Sequence, residues 1–499
     1  MELSYEQRAD IGLKYVLDLL DPACPYGAKR LKAEGFYGRE QREELDRELN
    51  NVALLLEQLE AAPRSIDALR NAMMCFKDIS GTLKNGENAS LSEVELFELM
   101  AFVLRMKALI PLAEALPCYK SLTGVRFTPV DGALAILDPG GNGRLTFYVE
   151  DARSPRLQES RREKRETEKQ LREPGCDRDA LLARRLRAAK EEELALADIY
   201  AEMSDALSPL LPGLRQNALA AGRLDAVICK ALLARRFHAC RPLVGTEALR
   251  LESAVNPEIA AALAERGRHF APIDVDMPLG VTVLTGANMG GKSVAIKTVT
   301  LNIALALLGF FPFCDRAEVP LFDRMELINR DFSNAAGGLS SFGGEIMRFN
   351  EAAERLRGGG LSFIAMDEFA RGTNAQEGAA IARGVVKYLS DKNAVTLLAT
   401  HYDGTAAYAE RHYQVRGLRK LEGKTPVPTD AKSGLRLIED AMDYGLIPVE
   451  REAECPRDAL RICRILGMDR EILAEIAENS AEACVDGAQG RRSDGTGSE

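Results

Sequence analysis

Apolar residues recur at steps of three and four along roughly the first 115 residues, the spacing that lines one face of a helix. Leu49, Val52, Leu56 and Leu59, following Leu45, make one such face, and residues 91–112 carry a similar one. Between 125 and 149 the texture changes. β-Branched and aromatic residues stand among Asp-Gly and Pro-Gly-Gly-Asn-Gly turn signals, which predicts two to four short antiparallel strands, a small β element at about 120–150. Residues 205–265 return to helical spacing, with Leu224, Val227, Ile228, Ala231 and Leu232 on a recurring face. From about Pro272, short apolar runs at 281–284, 361–366 and 395–399 alternate with helical stretches. That alternation predicts a mostly parallel sheet with helices on both faces.

The segment 151–200 departs from all of this: it holds 13 Lys or Arg and 12 Asp or Glu, with Pro174-Gly175 near its middle. Mixed-sign, helix-favouring sequence around one breaker predicts two antiparallel helices joined by a turn, an arm at about 151–203. A net charge of +1 is small for an arm that grips DNA, since phosphate attracts clustered cations, and a solvated hairpin is the plainer reading.

Composition narrows the class. In a chain of 499 residues, 46% apolar and 28% charged, global disorder, a collagen repeat and a membrane bundle are excluded. The formal charge of −10 disfavours a globally basic nucleic-acid binder while leaving local basic faces open. The longest apolar run, 303–313, is too short for a bilayer and is broken by Gly309 and Pro312, so no membrane association is expected. No basic stretch followed by an apolar one opens the chain, and a cytoplasmic location is expected. Ten cysteines without a CxxC pair, beside four histidines, read as reduced thiols and not as a zinc site or disulfide framework. The tail 486–499 lacks apolar residues, and disorder is expected there.

The sharpest chemical signal is Gly286-Ala287-Asn288-Met289-Gly290-Gly291-Lys292-Ser293, which fits G-x-x-x-x-G-K-[ST] between an apolar strand and a helix. Glycines let the backbone wrap phosphate oxygens, and successive N–H groups with a helix N-terminus supply positive potential. Lys292 is expected to reach the β- and γ-phosphates of ATP, and the Ser293 hydroxyl to ligate Mg²⁺. A second apolar strand ends in Asp367-Glu368, the Walker B arrangement. Asp367 is expected in the Mg²⁺ shell and Glu368 to orient the attacking water. A third strand ends in Thr400-His401, where the histidine is either a sensor of the γ-phosphate or a structural residue.

Together TGANMGGKS, DEFARGTNAQEG and LLATHY resemble the ATPase domain of the MutS family, of the ABC class. The family's P-loop usually reads TGPNMGGKST, so Ala287 and Val294 depart from it at positions that do no phosphate chemistry. The segment 337–345 resembles the family's signature loop. The resemblance implies that Ser340 reaches across a homodimer to the γ-phosphate of the other subunit, and that Arg371-Gly372-Thr373-Asn374 crosses the same interface. It also implies that Phe270 stacks on adenine, the alternative being a core phenylalanine. The match covers roughly 220–480. More weakly, the N-terminal half is similar to the lever helices of the MutS core. The expected organisation is therefore an α-helical lever domain over 1–265, carrying the β element and the arm, followed by an α/β P-loop ATPase domain over 266–485. The sequence shows no counterpart of the family's mismatch-reading and connector domains. Two functions stay open: a nucleotide-switched dimeric clamp of DNA-repair ancestry, or an ATP-driven remodeller of a protein client such as an adenosylcobalamin-dependent aminomutase.

Overall fold

The computed structural model describes residues 3–286, 291–328, 341–418, 431–456, 459–469 and 471–476, so the tail 486–499 lies outside the described residues. The chain forms two compact units, one from 20–34 and 47–233 and the other from the described residues of 1–19, 35–46 and 234–499. It therefore passes between them several times.

The first unit is helical. Its helix Glu93–Glu114 opens with a reciprocal cap, in which the Ser92 hydroxyl accepts from the Glu95 N–H and the Glu95 carboxylate accepts from the Ser92 N–H. Leu96, Leu99, Val103, Met106 and Leu109 follow at three- and four-residue steps and are buried. In the helix Arg42–Ala61 the buried set is Leu45, Leu49, Val52, Leu55 and Leu59, with Leu56 only half-buried. The charged segment forms helices Pro155–Gln170 and Arg178–Leu207. Proline stands in the first turn of one, and the Asp177 carboxylate caps the other by accepting from the Ala180 N–H at 3.2 Å. The pairing is antiparallel, because ascending residues on one helix meet descending residues on the other. Arg156 pairs with Glu191 and Asp198 at 2.9 Å each, Arg161 with Glu192 at 2.9 Å and Glu168 with Arg185 at 2.8 Å.

Two expectations are corrected. No strand forms over 120–150. Asp131–Leu137 is instead a helix, favoured by alanine and leucine and by an acidic residue in its first turn, where Lys107 pairs with Asp131 at 3.6 Å. The turn residues that follow close on the Asp138 carboxylate, which accepts from the N–H groups of Asn142 and Gly143. Thr128, which read as strand, has its backbone N–H committed to the Asn217 side chain at 2.7 Å and leaves no ladder to build. Conversely, the helical reading of 205–265 fails at 243–254, where two strands form. Leu249–Ala254 alternates buried Leu249 and Leu251 with exposed Arg250 and Glu252, a period of two.

The second unit is α/β. Its strands are β1 Leu243–Val244, β2 Leu249–Ala254, β3 Ile273–Met277, β4 Gly280–Thr285, β5 Arg316–Val319, β6 Arg324–Ile328, β7 Ser362–Asp367, β8 Ala394–Thr400, β9 Arg411–Gly417 and β10 Asp443–Pro448. A six-stranded sheet has the order β10-β9-β4-β8-β7-β6, parallel throughout except for the antiparallel edge pair β10-β9. A four-stranded sheet has the order β1-β5-β2-β3. Every residue of β4 and β8 is buried, as befits central strands of a parallel sheet. Val281, Val283, Ile364, Met366 and Leu398 pack with Phe369, Val386 and Leu389, each burial contributing about 1.5–3 kcal/mol. That core aligns the C-terminal ends of β4 and β7, where the polar residues sit. Among the described residues no helix is long and apolar enough to cross a membrane.

Candidate active site

The helix Lys292–Leu307 begins at the end of β4 with Gly291 as its N-cap. Gly291 has φ +92°, and a Cβ there would lie 2.6 Å from the Tyr444 ring, so glycine is demanded twice over. Lys292 is 4% exposed. Its Nζ donates to the Gly286 carbonyl at 2.8 Å and lies 4.0 Å from the Glu368 carboxylate. Burial lowers its pKa despite the opposing pull of Glu368 and Asp367. A lysine held this way is an incompletely compensated cation, suited to a polyanion.

β7 delivers Asp367 and Glu368 next to it. The parallel register puts Asp367 beside Ala399 of β8, and the Glu368 N–H extends the ladder to the Ala399 carbonyl at 3.1 Å. The chain then turns sharply: Glu368 and Ala370 both have left-handed φ, +51° and +65°, without being glycine. Such conformations cost on the order of 1–3 kcal/mol each and persist where the surroundings over-determine them. Here the Ala370 N–H donates to the Glu345 carboxylate at 3.1 Å, the Ala370 carbonyl accepts from the Tyr402 hydroxyl at 3.2 Å, and Arg371 forms an ion pair with Glu368. Asp367 is raised in pKa chiefly by burial, partly offset by a hydrogen bond from Ser293.

That carboxylate supplies the test for a metal. Asp367 Oδ1 is buried without a hydrogen-bond partner, while the Ser293 hydroxyl bonds the same group. Two adjacent oxygens with lone pairs to spare match a hard cation of the Mg²⁺ kind. The nucleotide has room as well. A cavity of about 320 Å³ is walled by Ile259, Leu263, Phe270 and Ile273 at an apolar side and by Lys292, Ser293 and Glu368 at a polar one. His401 is not among the residues lining it. Its ring packs on Tyr402 at 4.3 Å, and burial keeps its pKa below the ordinary value. Ala287, Asn288, Met289, Gly290 and Ser340 lie outside the described residues.

The residues thus brought together are Gly286, Gly291, Lys292, Ser293, Asp367, Glu368 and Phe270. Tyr444 and Glu345 went unrecognised as contributors. Tyr444 reaches the cavity from β10, an edge strand without any motif, and nothing local marks it. Glu345 is 3% exposed and braces the turn after Glu368; a glutamate beside Phe342-Gly343-Gly344 was a faint signal for that.

Residues 282–432 match the family model "MutS domain V". The chain carries a MutS-family domain V. It shares 30% identity over 236 residues with the DNA mismatch repair protein MutS of Natronomonas pharaonis, covering 47% of this chain and 27% of that protein. With the DNA mismatch repair protein MutS of Thermus thermophilus it is 28% identical over 395 residues, 72% of this chain and 46% of that one. Endonuclease MutS2 of Caldicellulosiruptor saccharolyticus is 28% identical over 249 residues, 49% and 30%. The chain spans less than half the length of these relatives. MutS domain V is an ATPase domain, and the cleft just described is its β4 and β7 end.

Proposed function

We propose that this MutS-family protein binds and hydrolyses ATP with Mg²⁺ and works as a nucleotide-switched homodimer. The observation that carries the reading is the convergence of the buried Lys292 with Ser293 and Glu368 on one cavity that has an apolar end, with Asp367 hydrogen-bonded to Ser293. In this reading Ser293 and Asp367 hold the cation, which supplies neutralisation of phosphate charge. Lys292 binds the β- and γ-phosphates. Glu368, held by its left-handed backbone and by Arg371, orients water for in-line attack. Phe270 takes the base. His401 serves as a hydrogen-bonding partner toward the γ-phosphate side, and Ser340 of the opposite protomer completes the site, making two equivalent sites about a two-fold axis.

The target of the switch has two readings. Family ancestry favours DNA held by a clamp. The hairpin favours a protein client, such as a cobalamin-dependent aminomutase: Arg156, Arg161, Lys164, Arg184 and Arg185 are each paired with a carboxylate of the facing helix and so are less available to phosphates.

The deciding experiment uses Glu368→Gln. It is expected to keep ATP affinity, slow hydrolysis about 10²–10³-fold and accumulate as a dimer with Mg²⁺–ATP, seen by light scattering. Wild-type turnover in that variant would remove Glu368 from its role. The same dimer is then titrated with duplex DNA across salt: affinity falling linearly in log–log form supports the clamp, whereas no binding at about 50 mM salt leaves the protein client.

A further inference from the structure

Cys240 and Cys314 lie with their sulfurs 3.5 Å apart, both in the α/β unit and away from the nucleotide cavity. Cys240 follows the helix Leu211–Arg236, and Cys314 follows the helix Lys292–Leu307 that carries the phosphate-binding lysine. The two segments are already joined. The Cys240 N–H donates to the Pro312 carbonyl at 3.1 Å, and the rings of Phe237 and Phe313 pack with centroids 4.8 Å apart. Closing the sulfurs to bonding distance takes about 1.5 Å, which side-chain rotation and a small backbone adjustment supply.

The two thiols are also unequal. Cys240 is half-buried and within reach of a small solute, whereas Cys314 is 4% exposed. The hydrogen bond between them lowers the Cys240 pKa and raises that of Cys314, whose burial adds to the rise. A half-buried thiol whose pKa is lowered, beside a sheltered second thiol, is the arrangement in which attack and resolution are divided between two residues.

We propose that Cys240 and Cys314 form a reversible dithiol–disulfide modification site, oxidised by small-molecule disulfides of the oxidised-glutathione class. The Cys240 thiolate attacks one sulfur of the disulfide, whose S–S bond breaks and releases one thiolate that takes up a proton. Cys314 loses its proton to solvent and attacks the Cys240 sulfur of the mixed disulfide, displacing the second thiolate. The protein loses two hydrogens, and the small disulfide leaves as two thiols. Oxidation links positions 74 apart in the chain and ties the segment after one helix to the segment after the phosphate-binding helix.

The test exposes the full chain to oxidised glutathione, quenches with iodoacetamide and maps the peptides. In the wild type a Cys240–Cys314 cross-link is expected, formed at least about tenfold faster than exposed Cys75 is glutathionylated, and reversed by dithiothreitol. Cys314→Ser is expected to stop at a mixed disulfide on Cys240, and Cys240→Ser to leave Cys314 unreacted over the same time. Absence of the cross-link in the wild type, or glutathionylation of Cys314 in Cys240→Ser as fast as the wild type cross-links, overturns the proposal.

Discussion

Among the described residues each unit buries one lysine almost completely, and the two are treated in opposite ways. In the helical unit Lys230 is fully buried with Glu34 and Glu48 both at 2.9 Å, and Arg223 reaches the other oxygen of Glu48 at 3.2 Å. Burial would lower its pKa, but the two carboxylates outweigh that and raise it. In the α/β unit Lys292 is buried too, with the Glu368 carboxylate no nearer than 4.0 Å, and its pKa falls. A lysine whose neighbours more than repay its desolvation is part of the scaffold. A lysine whose desolvation outweighs the pull of Glu368 and Asp367 is poised for a ligand that brings more negative charge. Burial alone does not separate the two; the surplus or deficit of counter-charge does.

The contrast is sharpest in stability. Lys230→Met should destabilise the protein by about 3–5 kcal/mol in urea titrations, because two buried carboxylates lose their cation. A loss under about 1 kcal/mol would mean that water reaches Glu34 and Glu48. Lys292→Met should invert the pattern. Nucleotide affinity is expected to drop about 10²-fold, by calorimetry, while stability changes by no more than about 1 kcal/mol or rises. Phe270→Ala should raise the nucleotide dissociation constant about tenfold with little effect on hydrolysis at saturation; an unchanged constant would return Phe270 to the role of a wall residue.

The smallest expected effect is on pH dependence. Glu48 is held below its ordinary pKa, since Lys230 and Arg223 overcome its burial, so its stabilisation is full above the unfolded value and is lost as pH falls through the folded one. Lys230, raised, contributes fully below its unfolded value and loses that contribution as pH climbs through the higher folded one. Glu34 has Lys230 at 2.9 Å but Arg30 only at 3.8 Å; its burial prevails, and it opposes Glu48 on the acid side. The stability that Lys230 itself contributes should therefore be lost on the alkaline side, as pH climbs from the unfolded lysine value through the raised folded one.

What could be read from the chain follows from how local each signal is. The parallel strands β4, β7 and β8 were legible because a strand buried on both faces must be continuously apolar, and β7 and β8 end abruptly in polar residues. The P-loop was legible because glycine spacing answers to backbone geometry within a few residues, as Gly291 demonstrates. The segment 125–149 misled because β-branched residues and turn signals also suit irregular chain pinned by side chains. Asn217, which takes the N–H of Thr128, is 89 residues distant. β2 was missed because its alternation is only six residues long and is flanked by helical texture.

Ionic partners were the least legible feature of all. The glycines before Lys292 mark it as a candidate phosphate ligand, but nothing near Lys230 in the chain reveals the two carboxylates that surround it. Residue order was enough to specify the ATPase domain and its α/β layout, since those depend on periodicity and on motifs spanning a few residues. The charge balance at each buried lysine, the place of Tyr444 in the cavity beside Lys292 and the approach of Cys240 to Cys314 came from packing. They join residues far apart in the chain, and the energy of a charge or a thiol depends on what folding sets within a few ångströms of it.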